Sequence, residues 1–278
     1  MPGTYRRAHP KELIKAKPMI TMITLPKQVQ QALSMKGNKV SDDEVKQLQE
    51  KIDLDSKDIE SRIVLMSYCY RKSILDKTFR EPHLQQVYWF IENYPESDTA
   101  GSHSARIDAI MNPQGFVKGM DLWEKAMQAN PSSVPVLVNA SRYFMFPDKA
   151  KSEALLKQAQ EMEPNNVDLM TKLAHLYSLS VISERTKDGC REVSKKSLEL
   201  FEKAILLESD SPNRTNLVVS AAKTAFDAGE LEKAWQFAEQ LLKFDDKGDS
   251  LHIGNTILGR LAIKKGDLDS ACKYLSES

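Results

Sequence analysis

Apolar and polar residues along this chain follow the three-and-four spacing of helices buried on one face. In SDDEVKQLQEKI the apolar Val45, Leu48 and Ile52 share a face, and Ser41 with Glu44 three residues on predicts a capped helix start. DIESRIVLMSYCYRKS and EPHLQQVYWFIENYP continue the pattern as an antiparallel helix pair, the second starting near Pro82 and ending before Pro95. GSHSARIDAIMNPQ followed by GFVKGMDLWEKAMQANP predicts another pair, and pairs of this length recur to the end of the chain. Eleven Gly and twelve Pro in 278 residues are few for a β-rich fold, while the abundant Leu, Ala, Lys, Glu and Gln lose little rotamer freedom in helices. The predicted class is all-α.

The pairs repeat. AMQANPSSVPVLVNASRYF begins at Ala126, and AQEMEPNNVDLMTKLAHLY begins thirty-three residues later at Ala159. Ala126, Pro131, Ala140 and Tyr143 in the first match Ala159, Pro164, Ala174 and Tyr177 in the second, and Phe201 and Ala204 keep the schedule in the next unit. Small residues belong where two helices cross, because a large side chain there would push the backbones apart. LVVSAAKTAFDAGELEKAWQFAEQLLKF then carries Ala222, the turn Gly229-Glu230 and Ala234, and ILGRLAIKKGDLDSACKYL repeats it with Gly259, Gly266-Asp267 and Ala271. These units resemble tetratricopeptide repeats, over roughly residues 115–278, with degenerate pairs reaching back to about residue 57.

The resemblance implies a right-handed α-solenoid of about five or six antiparallel helix pairs, with the first helix of each pair lining a concave side. Two departures from the family pattern mark local differences. MFPDKA after Phe144 replaces the usual Gly-acid turn, so that turn is expected to be rebuilt around Pro147. Between Tyr177 and Phe201 about eleven extra residues predict a longer helix pair or a protruding loop. The last unit stops at Ser278 without the polar cap that terminal repeats need, so its end is expected to be open for association.

Charge divides the chain. Lys plus Arg and Asp plus Glu both total 39, which leaves no global field to steer nucleic acid or an anionic membrane. Yet residues 1–39 hold eight basic residues against Glu12 alone, a net of +7, and the remainder carries −7. The expected organisation is therefore a basic, disordered arm over 1–39, degenerate helical repeats over 40–114, and tetratricopeptide-like repeats over 115–278. The apolar run MITMITL is too short for a signal peptide and no A-x-A site follows, although the Arg-rich, acid-poor start also allows an organelle transit peptide. No run has the length of a transmembrane helix. Three scattered cysteines, Cys69, Cys190 and Cys272, fit a reducing compartment better than a disulfide framework, and cytoplasmic localisation is expected.

Motifs for catalysis are not found. His9, His83, His103, His175 and His252 form no HExxH and no i,i+4 pair with another ligand, so no metal site is expected. Neither a P-loop, a GxGxxG nor a GxSxG occurs, and no cofactor is expected. Ser220 and Lys223 match an SxxK spacing, but they lie inside the best repeat and the companion motifs of the serine acylases are missing. Asn139 and Asn213 begin glycosylation sequons of no weight in a chain that is not expected to be secreted.

What remains is a binding surface. In the register of the resemblance, Ser141, Thr171, His175, Asn216, Lys223, Thr256 and Arg260 face the concave groove, where a peptide or partner segment can lie. Lys223 and Arg260, one repeat apart, would favour an acidic segment or a C-terminal carboxylate. Family members that hold chaperone C-termini use Lys, Asn and Arg at fixed positions of consecutive repeats, and this chain has Ala, Ser, Thr or apolar residues at most of them. The expected function is a non-enzymatic protein-protein interaction scaffold. The alternatives are a helical regulatory or sensory region of a larger assembly, associating through the open C-terminal end, and nucleic-acid contact through the basic arm.

Overall fold

The computed structural model describes residues 25–183, 186–208, 213–244 and 249–278. Among these residues the regular elements are helices, without strands: α1 (Lys27–Gly37), α2 (Asp42–Leu54), α3 (Ile59–Ser73), α4 (Arg80–Asn93), α5 (Pro113–Ala129), α6 (Val134–Phe144), α7 (Lys149–Met162), α8 (Val167–Ser183), α9 (Lys187–Leu207), α10 (Asn213–Ala228), α11 (Leu231–Leu241), α12 (Asp249–Lys265) and α13 (Leu268–Ser276). None is long and apolar enough to cross a membrane.

Side-chain caps set many of the starts. Ser41 accepts from the Glu44 amide while the Glu44 carboxylate accepts from the Ser41 amide, completing the expected capping box. Asp58, Asn112, Ser133, Asp148, Thr186 and Asp267 each take an orphan N–H of a first turn, a contribution of about 1 kcal/mol apiece. The two Gly-acid turns behave alike. Gly229 and Gly266 adopt φ of 77° and 79°, which lets the Glu230 and Asp267 amides donate back to the Ala225 and Ala262 carbonyls at 2.9 and 3.0 Å.

The helices pair as α6/α7, α8/α9, α10/α11 and α12/α13, each pair packed on the next. Their crossings are filled by Ala140, Ala159, Ala174, Ala204, Ala222, Ala234 and Ala271, all buried. One apolar core runs from α3 to α8 and a second from α8 to α12, with a smaller cluster where α2 and α3 meet. The insertion after Tyr177 is a longer helix pair, 17 and 21 residues for α8 and α9, with 184–185 outside the described residues. After Phe144 the turn closes as expected for a Pro147 break: the Asp148 amide donates to the Phe144 carbonyl at 2.9 Å and the Asp148 carboxylate caps α7.

Two expectations are corrected. The helix predicted from GSHSARIDAIMNPQ is not formed: residues 94–112 hold only a 3-10 turn over His103–Ala105, and the rest of the segment is irregular. Ser104, Ala105 and Ile107 are buried while Arg106 and Asp108 are exposed, an alternation that suits extended backbone and not a helix. Helices α4, α5 and α7 end just before Pro95, Pro131 and Pro164, which makes each the second helix of a unit, so the missing element is the first helix of the unit that α5 completes. The second correction concerns the arm. Residues 1–24 lie outside the described residues, but 27–37, assigned to a disordered arm, form α1 against α3. Contact is close at Gly37, where a Cβ would stand 2.4 Å from the Val64 carbonyl oxygen, so only glycine allows this approach.

Candidate functional site

Where the first helix is missing, its replacement is tied down on every side. Asn139 of α6 donates from Nδ2 to the Pro95 and Ser97 carbonyls, both at 2.9 Å. Gln30 of α1 accepts from the Thr99 amide at 2.9 Å and the Thr99 hydroxyl at 2.7 Å. His83 Nε2 donates to the Ser104 carbonyl at 2.6 Å, and the Ser104 hydroxyl joins those of Ser67 and Ser34. The Arg142 guanidinium donates to the Gly101 carbonyl at 3.2 Å. The irregular backbone thus has polar groups met by side chains of α1, α4 and α6, as buried backbone without secondary structure requires.

His83 is 5% exposed, and burial holds its imidazole below the usual value of 6.5 in the neutral form that donates to Ser104. A histidine depressed in the fold takes up its proton in the unfolded chain first. Its stabilising contribution is therefore present above about pH 6.5 and lost as the pH falls through that value toward its lower folded pKa. We expect the melting temperature to decline from pH 7 to pH 5, and His83→Gln to flatten part of that decline; an unchanged slope in the variant would assign it elsewhere, for instance to His175, which is also lowered by burial and then by Lys172.

Between this segment, α6 and α8 lies a cavity of about 600 Å3, lined among others by Arg106, Arg142, Lys172, Phe116, Tyr143 and Leu176. Lys172 pairs with Asp168, one turn earlier on α8. Burial lowers the Lys172 pKa and the fields of Arg142 and Lys27 lower it further, against the opposite pull of Asp168.

The expected groove residues divide. Ser141 is 2% exposed and its hydroxyl donates to the Val138 carbonyl, so it supports the cavity wall and is not open to a partner. His175 reaches the same cavity, its ring edge-on to Phe201. Thr171 is half-buried and its hydroxyl donates to the Val167 carbonyl within α8. Asn216, Lys223 and Arg260 are exposed and Thr256 half-buried, on α10 and α12, which pack together. Arg260 reaches from α12 to lie 4.5 Å over the Phe226 ring, three residues on from Lys223, and Lys264 covers the same ring at 4.8 Å. The structure therefore brings Ser141 and His175 to the cavity, and Arg260 with Lys264 over Phe226, three residues on from Lys223.

Arg106, Arg142 and Lys172 were missed. Arg142 and Lys172 follow directly after Ser141 and Thr171, and only the placement of residues 94–112 turns them to a common cavity. The sequon at Asn139 is spent: the side chain is buried and its amide nitrogen donates twice.

Neither a protein-family model nor a curated protein matches the chain. Among solved structures, a human IFIT1 dimer with m7Gppp-AAAA aligns with TM-score 0.51 and 17% identity over 82% of this chain and 52% of that one. BtubC from P. vanneervenii aligns at 0.46 with 13% identity, covering 80% and 88%, and PilF of Pseudomonas aeruginosa at 0.42 with 14% identity, covering 89% of each. This chain spans about half the length of the human IFIT1 chain it matches, and at that identity the likeness is one of fold. By fold, the chain is a tetratricopeptide-like α-solenoid.

Proposed function

We propose that the chain is a non-enzymatic interaction scaffold that holds an extended, acidic segment of a partner protein along its first helices. The observation that carries this reading is a set of cations on neighbouring first helices: Arg260 and Lys264 of α12 lie over the Phe226 ring of α10, and exposed Lys223 stands three residues before that ring on α10. Guanidinium and ammonium groups arranged in this way suit carboxylates spaced along an extended peptide, and the buried Phe226 ring holds Arg260 and Lys264 in place. Solenoids of this kind present long concave surfaces for such segments.

The test is a selection of displayed random 16-residue peptides on the intact chain, followed by affinity measurement on Lys223→Glu/Arg260→Glu after circular dichroism shows equal helicity. Acidic peptides should be enriched and should lose at least about tenfold in affinity on the variant, with a matching loss at high salt. Failure to enrich any peptide, or equal affinity for the variant, overturns the reading. Tight binding of m7Gppp-AAAA, the molecule present with the human IFIT1 dimer, at this group would replace it with a nucleic-acid reading.

A further inference from the structure

The cavity owes its depth to the missing first helix. Packed helices stand only about 8–10 Å apart and leave a shallow groove between them. Here Phe116 of α5 and Leu156 of α7, both on second helices, line the opening, so it passes through the first layer to the layer behind. Its volume of about 600 Å3 falls within the about 300–1,000 Å3 of small-molecule sites.

Its chemistry is that of an apolar floor with a cationic rim. Ala105, Ile107, Phe116, Leu156 and Leu176 contribute apolar walls, and Ile110 and Phe146 remain 90% and 62% exposed, a cost in water that an apolar ligand would remove. Phe116 stacks on Tyr143 at 4.8 Å and Arg106 covers Phe146 at 4.7 Å, so these rings pack on each other and on a guanidinium in place of forming a paired platform for a nucleobase. Lys172 has Asp168, and the Asp108 carboxylate accepts from the Ile110 and Met111 amides at 2.8 and 2.9 Å. Arg106 and Arg142 have no carboxylate within ion-pair distance among the described residues. The shielded hydroxyl oxygen of Ser102, another lining residue, likewise has no partner among them.

We propose that this cavity binds a small organic acid, a monocarboxylate whose apolar body fills the cavity and whose carboxylate is held by Arg106 and Arg142. The site is separate from the group around Phe226 and does not depend on the scaffold reading.

Isothermal titration of the intact chain with decanoate, decanol and decyltrimethylammonium tests it, the three probes sharing a tail and differing in charge. Decanoate should bind at least about tenfold more tightly than either of the others. Arg106→Gln and Arg142→Gln should each bring decanoate toward decanol by about tenfold, and Ala109→Phe, which fills the cavity from a half-buried lining position, should abolish binding of all three. Lys223→Glu should change none of these values. Absence of decanoate binding, equal affinity for decanol, or insensitivity to Arg142→Gln and Ala109→Phe each overturns the proposal. Displacement of decanoate by the peptides selected on the intact chain would make the cavity one end of the peptide groove and also overturn a separate site. Loss of peptide binding alone, with decanoate unaffected, removes only the scaffold reading.

Discussion

Trp123→Ala should destabilise the protein by about 3–5 kcal/mol, the cost of removing a large aromatic side chain from a packed interior. Trp123 is 0% exposed at the centre of the core between α3 and α8, with its ring 6.4 Å from that of Tyr143. Residues from both helices of several units meet there, so collapse around the hole would have to move backbones that other crossings hold in place. Trp123→Phe separates volume from polarity. The indole nitrogen has no hydrogen-bond partner among the described residues, so its removal breaks no bond and relieves a buried polar group, and the cost should be well under half that of alanine. Urea unfolding followed by circular dichroism gives both values; equal losses in the two variants would mean that the indole nitrogen has a partner after all.

Asn139→Ala should cost about 2–4 kcal/mol, because it leaves the Pro95 and Ser97 carbonyls without the donor that both use. Unlike the loss at Trp123, this one should be local. Hydrogen exchange in peptides covering 95–105 should accelerate strongly, while α12 and α13 keep their protection, since solenoid units feel mainly their neighbours. Asn139→Asp should be worse than alanine, because a carboxylate offers no donor and sets a negative charge against two carbonyl oxygens. Uniform acceleration along the whole chain would show that Asn139 acts on global stability and not on this segment.

The C-terminal half was legible because its signals are local. A glycine with positive φ, an acid after it and an alanine four residues beyond the acid are read within one turn of helix, and Gly229 and Gly266 carry them unchanged. Residues 94–112 were misread for the opposite reason. Their conformation is held by Gln30, His83, Asn139 and Arg142, partners 21 to 69 residues away, and propensity within the segment cannot register them. The alternation of buried Ala105 and Ile107 with exposed Arg106 and Asp108 was a usable sign, but it spans only four residues. Helix α1 was hidden by the positive charge around it. Its contact side consists of Gln30, Leu33, Ser34 and Gly37, of which only Leu33 would count toward an apolar stripe. The candidate site inherited the first of these errors: the cavity is made by the misread segment, whereas Lys223 and Arg260 lie in the well-read repeats.

The bonds from Gln30 to Thr99 and from Ser34 to Ser104 span 69 and 70 residues, whereas the later pairs close on helices next to them in the chain. Loop closure over such a distance comes late, after contacts nearby in sequence have formed. During synthesis, α1 leaves the ribosome well before Thr99 and Ser104 exist, and its polar contact side must wait in water until they are made. A contact side with a single leucine among glutamine, serine and glycine tolerates that wait, where a leucine stripe would have offered a nascent chain something to aggregate through.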